Sequence, residues 1–266
     1  MKKLTPVLCF LVLVLSFFLG TNFSKNPYVD ALDSTCSIYV TTNQVDEESI
    51  IKGEMKFKEA FATGVVVAET KDEYLVLTAG HVVHNALDGK CIVNFPTSKI
   101  VAIGHVIYSD FVYTEDNLKA RIPGDDIGFI GIPKCVGPLT VQQIDLDRPK
   151  DVFTVGCSKG EYPSVVLSNV IKFMPGSFRM HFSPNQGRSG SGVFSSKGLV
   201  GIVLTVDGGC QNAEKIKNAL DCVAPDVDKS RFWHIIGIKY HEGSTTSLLL
   251  LLQCSLLPKG FLYSGN

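Results

Sequence analysis

The sequence predicts an all-β fold, and three observations carry that reading. Short β-branched or aromatic runs recur along the chain, set apart by Gly, Pro, Asp and Asn. Helical periodicity is scarce, with one turn expected at 82–86 and two at 213–220. A break near Pro133–Pro149 parts the runs into two sets of about six. Twelve short strands fit sandwiches or barrels and not a βαβ array.

The first set comprises Ser37–Thr41, Ala60–Ala68, Tyr74–Thr78, Cys91–Phe95, Ile100–Tyr108 and Ile127–Ile132. The second comprises Val152–Gly156, Ser164–Phe173, Phe178–Phe182, Gly192–Ser195, Leu199–Val206 and His234–Ile238. Each run has strand length and strand composition, with turn-forming residues at its ends. The chain has 266 residues, 45% hydrophobic and 19% charged, which suits a large core and excludes general disorder. Its formal charge is −1 and no Lys/Arg run occurs, so nucleic acid is not an expected partner.

At the N-terminus, Lys2 and Lys3 precede an apolar run from Val7 to Gly20, broken by Ser16. Residues 1–24 therefore read as a signal peptide or an uncleaved signal anchor, and the body is expected to be exported or tethered to a membrane. The triplet Val29-Asp30-Ala31 fits the small-residue cleavage preference but lies far downstream of the apolar run. Cys36, Cys91, Cys135, Cys157, Cys210 and Cys222 fall in the body, and in an exported chain they permit disulfides. Cys210–Cys222 is the pair expected to close a local loop. No Cys/His cluster has metal-ligand spacing, and no cofactor is expected. Residues 241–266 form a hydrophobic tail of unassigned role, and its SLLLLLQCSLLP stretch at 247–258 is too short to span a bilayer.

Three segments carry chemistry. YLVLTAGHVV runs from a strand into His81, GDDIGFIGI places Asp126 ahead of a strand, and GRSGSGVF surrounds Ser189. Serine is a poor nucleophile without a base, and histidine titrates in the right range to be one. A buried carboxylate would fix the histidine's tautomer and stabilise its protonated form. A glycine beside the serine permits backbone angles that aim the N–H groups of Gly187 and Ser189 at one oxygen. Asp125 is the nearest rival to Asp126, and the register of the IGFIG run favours Asp126. His84 reads as a surface residue, and His105, His181, His234 and His241 have no motif around them.

TAGHV at 78–82, DIGFI at 126–130 and GRSGSGVF at 187–194 together resemble the trypsin-like (chymotrypsin-fold) serine peptidases. The flavour is nearer the bacterial-type glutamyl endopeptidases and high-temperature-requirement proteases. The resemblance covers roughly residues 34–208. It implies a double six-stranded antiparallel β-barrel with the active site in the cleft between barrels. It also implies His81 as general base, Asp126 as orienting carboxylate and Ser189 as nucleophile, acting on a protein or peptide substrate. The expected barrels span 32–140 and 141–240. The substrate pocket is expected to involve Ser183 and the strand residues Val203, Leu204 and Thr205, with an apolar or small side chain before the cut bond and Asp207 as an acidic competitor. Arg188 departs from the aspartate that digestive members carry before the nucleophile, so activation by a newly formed N-terminal ammonium is not expected. Two further readings compete: a catalytically inactive binding protein on the same fold, and an α/β-hydrolase esterase. The latter is disfavoured because Ser191 breaks the GxSxG frame and βα alternation is missing.

Overall fold

A computed structural model describes residues 26–44, 56–84, 86–111, 126–181 and 184–225. The twelve described strands close into two barrels of six. In the first barrel, β1 (Thr35–Gln44), β2 (Lys56–Glu69), β3 (Glu73–Ala79), β4 (Lys90–Phe95), β5 (Ile100–Ser109) and β6 (Ile127–Pro133) run in the order β1-β2-β3-β6-β5-β4. In the second, β7 (Asp151–Gly156), β8 (Ser164–Met174), β9 (Ser177–Met180), β10 (Gly192–Phe194), β11 (Leu199–Val203) and β12 (Gly209–Asn212) run β10-β11-β12-β9-β8-β7. Every strand pair is antiparallel. Closure leaves neither sheet with an open edge.

Strand pattern decides which faces are covered. In β4 burial alternates, with Cys91, Val93 and Phe95 turned inward. Such a strand has one face in the barrel and one in solvent. In β3, by contrast, every residue from Tyr74 to Ala79 is buried. Both of its faces are covered, and that is why YLVLTA reads as an unbroken apolar run. Val65, Ile130 and Phe129 pack with Phe153, Phe194 and Ile202 in one cluster that crosses from the first barrel to the second. A smaller cluster of Val152, Phe178, Met180, Val193, Val200, Val203 and Cys210 fills the second barrel.

Eleven of the twelve expected strands form within a few residues of their expected bounds. The expected run His234–Ile238 lies outside the described residues, as do 1–24 and 241–266. The twelfth described strand is β12, in a segment where the sequence gives no strand signal. GCQN has no β-branched residue, and its strand character comes from pairing on both sides: Ile202↔Gln211 with β11 and Cys210↔Phe178 with β9.

Three α-helical segments are described: α1 (Pro27–Ser34), the single turn α2 (Gly80–Val83) and α3 (Ala213–Val223). Asn26 caps α1 by accepting the Tyr28 N–H at 3.0 Å. Asn212 caps α3 by accepting the Lys215 N–H at 3.1 Å. In α3, Ala213, Ile216, Ala219 and Leu220 form the buried stripe. The expected Cys210–Cys222 disulfide is corrected: all six described cysteines are free thiols. Cys210 is fully buried on β12, among the residues that fill the second barrel, whereas Cys222 is exposed on α3.

Candidate active site

His81 and Asp126 are brought together by strand register. β3 pairs with β6 so that Ala79 faces Ile127, and His81, two residues beyond Ala79, meets Asp126, which immediately precedes Ile127. Asp126 is buried, with 8% exposure. Its Oδ1 accepts the His81 backbone N–H at 2.7 Å, and its Oδ2 lies 2.7 Å from His81 Nδ1. A carboxylate in that position selects the tautomer with the proton on Nδ1 and leaves Nε2 as an acceptor. Gly80 makes the approach possible. A Cβ there would sit 2.9 Å from Ile127 O and 3.1 Å from Asp126 Oδ1. Ser109 Oγ donates to Gly80 O at 3.2 Å and Asp110 Oδ1 accepts the Ile127 N–H at 2.6 Å, so both arms of the pair are braced. The Phe111 ring lies edge-on to the imidazole, with centroids 6.0 Å apart.

Ser189 sits in the turn that leads into β10, half-buried between the buried residues Arg188 and Gly190. Two glycines in this turn have positive φ: Gly187 at 91° and Gly190 at 83°. At Gly190 space matters as much as φ, since a Cβ would lie 2.2 Å from Thr63 O and 3.1 Å from Ala79 N. That contact sets the serine turn against the end of β3, two residues from His81. Gly190 N–H donates to Val203 O at 2.8 Å, and Val203 N–H returns to Ser191 O at 2.9 Å. Among the described residues, neither Gly187 N–H nor Ser189 N–H has an intramolecular acceptor, and no hydrogen bond joins the Ser189 hydroxyl to the His81 ring.

Thr63, which sequence reasoning did not single out, ties this turn to both barrels. Its N–H donates to Ser189 O at 2.9 Å. Its hydroxyl donates to Gly187 O at 3.1 Å and accepts the Cys157 N–H at 2.9 Å. Its carbonyl accepts the Thr78 hydroxyl at 2.8 Å. Nothing in the segment ATG announces such a role.

Arg188 is buried against residues of the second barrel, with 3% exposure. Its guanidinium donates to Gly156 O at 3.2 Å, to Ser164 O at 3.0 Å, to the Ser164 hydroxyl and to Ser158 Oγ at 3.3 Å. Burial pulls its pKa down, and the neighbouring Cys157 acts in the opposite direction. Burial drives the Cys157 thiol up to about 12, against the opposing pull of Arg188 and Thr63.

Of the expected pocket residues, Val203 and Leu204 are buried at 1% and 4% exposure. Thr205 bonds Asp207 through its hydroxyl and accepts the Gly209 N–H at 3.0 Å. Ser183 lies outside the described residues. Asp207 also pairs with Arg179 at 2.8 Å. The Thr205 hydroxyl, aided by Arg179, holds the Asp207 carboxyl below the usual range. An acid so engaged is not a free counter-ion for a basic substrate side chain. Among the described residues, no group of three or more His, Cys, Asp or Glu side chains could hold a metal ion.

Residues 62–202 match the family model described as a trypsin-like peptidase domain. The active form of the Rv3671c protease from M. tuberculosis is similar in structure, with a TM-score of 0.54 at 16% identity over 75% of this chain and 85% of that one. An inactive form of the same protease gives a TM-score of 0.50 at 16% identity, over 75% and 94% of the two chains. At that identity the likeness concerns the fold. No curated protein matches the chain in sequence.

Proposed function

The chain belongs to the trypsin-like peptidase family, and from that premise we infer that it is a serine endopeptidase working through an acyl-enzyme. The observation that carries the reading is the two-point contact of the buried Asp126 with the backbone and ring of His81. In this reading His81 Nε2 takes the proton from Ser189 Oγ as the oxygen attacks the substrate carbonyl, and Asp126 stabilises the imidazolium. The oxyanion is received by the N–H groups of Gly187 and Ser189, which have no acceptor of their own among the described residues. The imidazolium then protonates the leaving amine. Water, activated by the same ring, releases the acyl group. Val203, Leu204, Thr205 and Ser183 are the proposed wall of the pocket. An apolar or small residue before the cut bond suits the buried Val203 and Leu204 and the engaged Asp207. Protein or peptide is the proposed substrate, and the leader at 1–24 proposes export or a membrane tether.

Arg188, which stands where digestive members of the family carry an aspartate, leaves one rival, a protease-fold binding protein without turnover. A fluorophosphonate probe separates the two. Labelling that maps to Ser189 and is lost in His81→Ala supports catalysis, and Ser189→Ala should then lower turnover by on the order of 10⁶. A folded chain that neither labels nor cleaves peptides is the binder.

A further inference from the structure

The outer surface of the two barrels carries an apolar strip that the catalytic reading leaves unused. On the first barrel, cross-strand register lines up Ile103↔Ile92, Ile92↔Tyr39 and Tyr39↔Phe61, across β5, β4, β1 and β2. Directly paired residues share a face. Their sequence neighbours Ala102, Val93, Ile38 and Ala62 are buried inside the barrel, so this row points outward. Ile103 is 69% exposed, and Ile92 and Phe61 are nearly half exposed. The Tyr39 and Phe61 rings are 5.3 Å apart.

The strip continues onto the second barrel. Gly160 lies so close over Phe61 that a Cβ there would be 2.7 Å from the ring. The chain then runs through the exposed Tyr162 into β8, where Leu167 is 72% exposed. Leu167 pairs with Phe153, which is only 5% exposed because Tyr28 of α1 packs on it with ring centroids 4.5 Å apart, so the exposed surface passes from Leu167 to Tyr28, 40% exposed. An apolar band of this extent left to water is a liability unless something covers it.

Where the strip ends says what covers it. It ends at α1, and six residues (21–26) separate that helix from the apolar run that stops at Gly20. Six residues reach about 20 Å at full extension. α1 is also built into the fold. Tyr28 packs on Phe153, Asp30 O accepts Gln142 Nε2 at 2.6 Å, and Ala31 is fully buried. Processing at the small-residue triplet Val29-Asp30-Ala31 would remove most of this helix, so that triplet is not a cleavage site the fold can use.

We propose that the strip from Ile103 to Tyr28 is a lipid-contact face, laid on a phospholipid surface by the apolar N-terminal run, an inference that rests on the tether reading of residues 1–24. Tyr and Phe within an aliphatic band suit the headgroup boundary. The inference does not depend on turnover at Ser189.

The test is hydroxyl-radical footprinting of the full chain in phosphatidylcholine nanodiscs loaded with one copy each. Reactivity at Ile103, Phe61, Tyr162 and Leu167 is expected to fall several-fold below what their exposure dictates, while Val206, 73% exposed and off the strip, stays reactive. Strip residues as reactive as Val206 overturn the proposal. So does a strip exposed in single-copy discs but protected in concentrated detergent-free samples that sediment as dimers, because a second copy is then the cover. The double variant Ile103→Glu/Leu167→Glu, altered only at outward positions, should restore radical access to Phe61 and Tyr162 in the discs, and unchanged protection there counts against lipid contact.

Discussion

Replacing Thr63 by valine removes one hydroxyl and almost no volume. That hydroxyl accepts the Cys157 N–H and donates to Gly187 O, and Thr63 is fully buried. Valine leaves one donor and one acceptor without partners, each costing about 1–3 kcal/mol. The expected destabilisation is about 2–6 kcal/mol. At roughly 2–4 °C per kcal/mol for a chain of this size, the midpoint of thermal unfolding should fall by about 4–24 °C. Turnover should fall further than folding accounts for, because Gly187 O is the far side of the residue whose N–H is proposed to meet the oxyanion. Loss of one such donor costs roughly 10²–10³ in kcat, which sets the upper bound. Scanning calorimetry and kcat measured at 15 °C, where the variant is folded, read the two effects separately. Thr63→Ser keeps the hydroxyl and should recover most of both. A valine variant within about 0.5 kcal/mol of the parent, with unchanged kcat, would refute the reasoning.

Gly187→Ala should be damaging on two counts, since φ is +91° and the new Cβ would lie 2.4 Å from Lys159 N; we expect kcat to drop at least about 10²-fold with a smaller change in KM. Ellman titration of the native chain should detect Cys135 and Cys222 among the six described cysteines, with the other four reacting only on unfolding. Burial raises Cys157 and Cys91 from 9.0 to about 12. The folded state therefore holds these thiol protons more tightly than the unfolded chain does, and the associated stability is complete below pH 9 and lost progressively between 9 and 12. Calorimetric midpoints should decline through that window, and less steeply in Cys157→Ala.

Much of the fold was legible because breakers and β-branched runs alternate so regularly. AFATGVVVA, YLVLTA and IGFIGI declare themselves as strands, and their order sets the β3–β6 pairing that joins His81 to Asp126. β12 escaped because GCQN owes its strand to neighbours rather than to propensity. α1 also escaped, although Asn26-Pro27 is a start signal for a helix and the cap forms as that signal predicts. The Cys210–Cys222 expectation rested on compartment and spacing, and neither reports which way a side chain points. Thr63 was invisible for a different reason. Its four hydrogen bonds join segments 15 to about 126 residues away in sequence, a relation no local pattern encodes.

A single threonine stitches the turn around Ser189 to strands from both halves of the molecule. The geometry proposed for the reaction therefore belongs to the joint between the halves and not to either one. A chain severed in the connector between β6 and β7 should be chemically silent until its fragments reunite, and chemistry would then serve as a gauge of that reunion. A compound wedged into the seam far from the cleft would silence the site just as well as one that fills it.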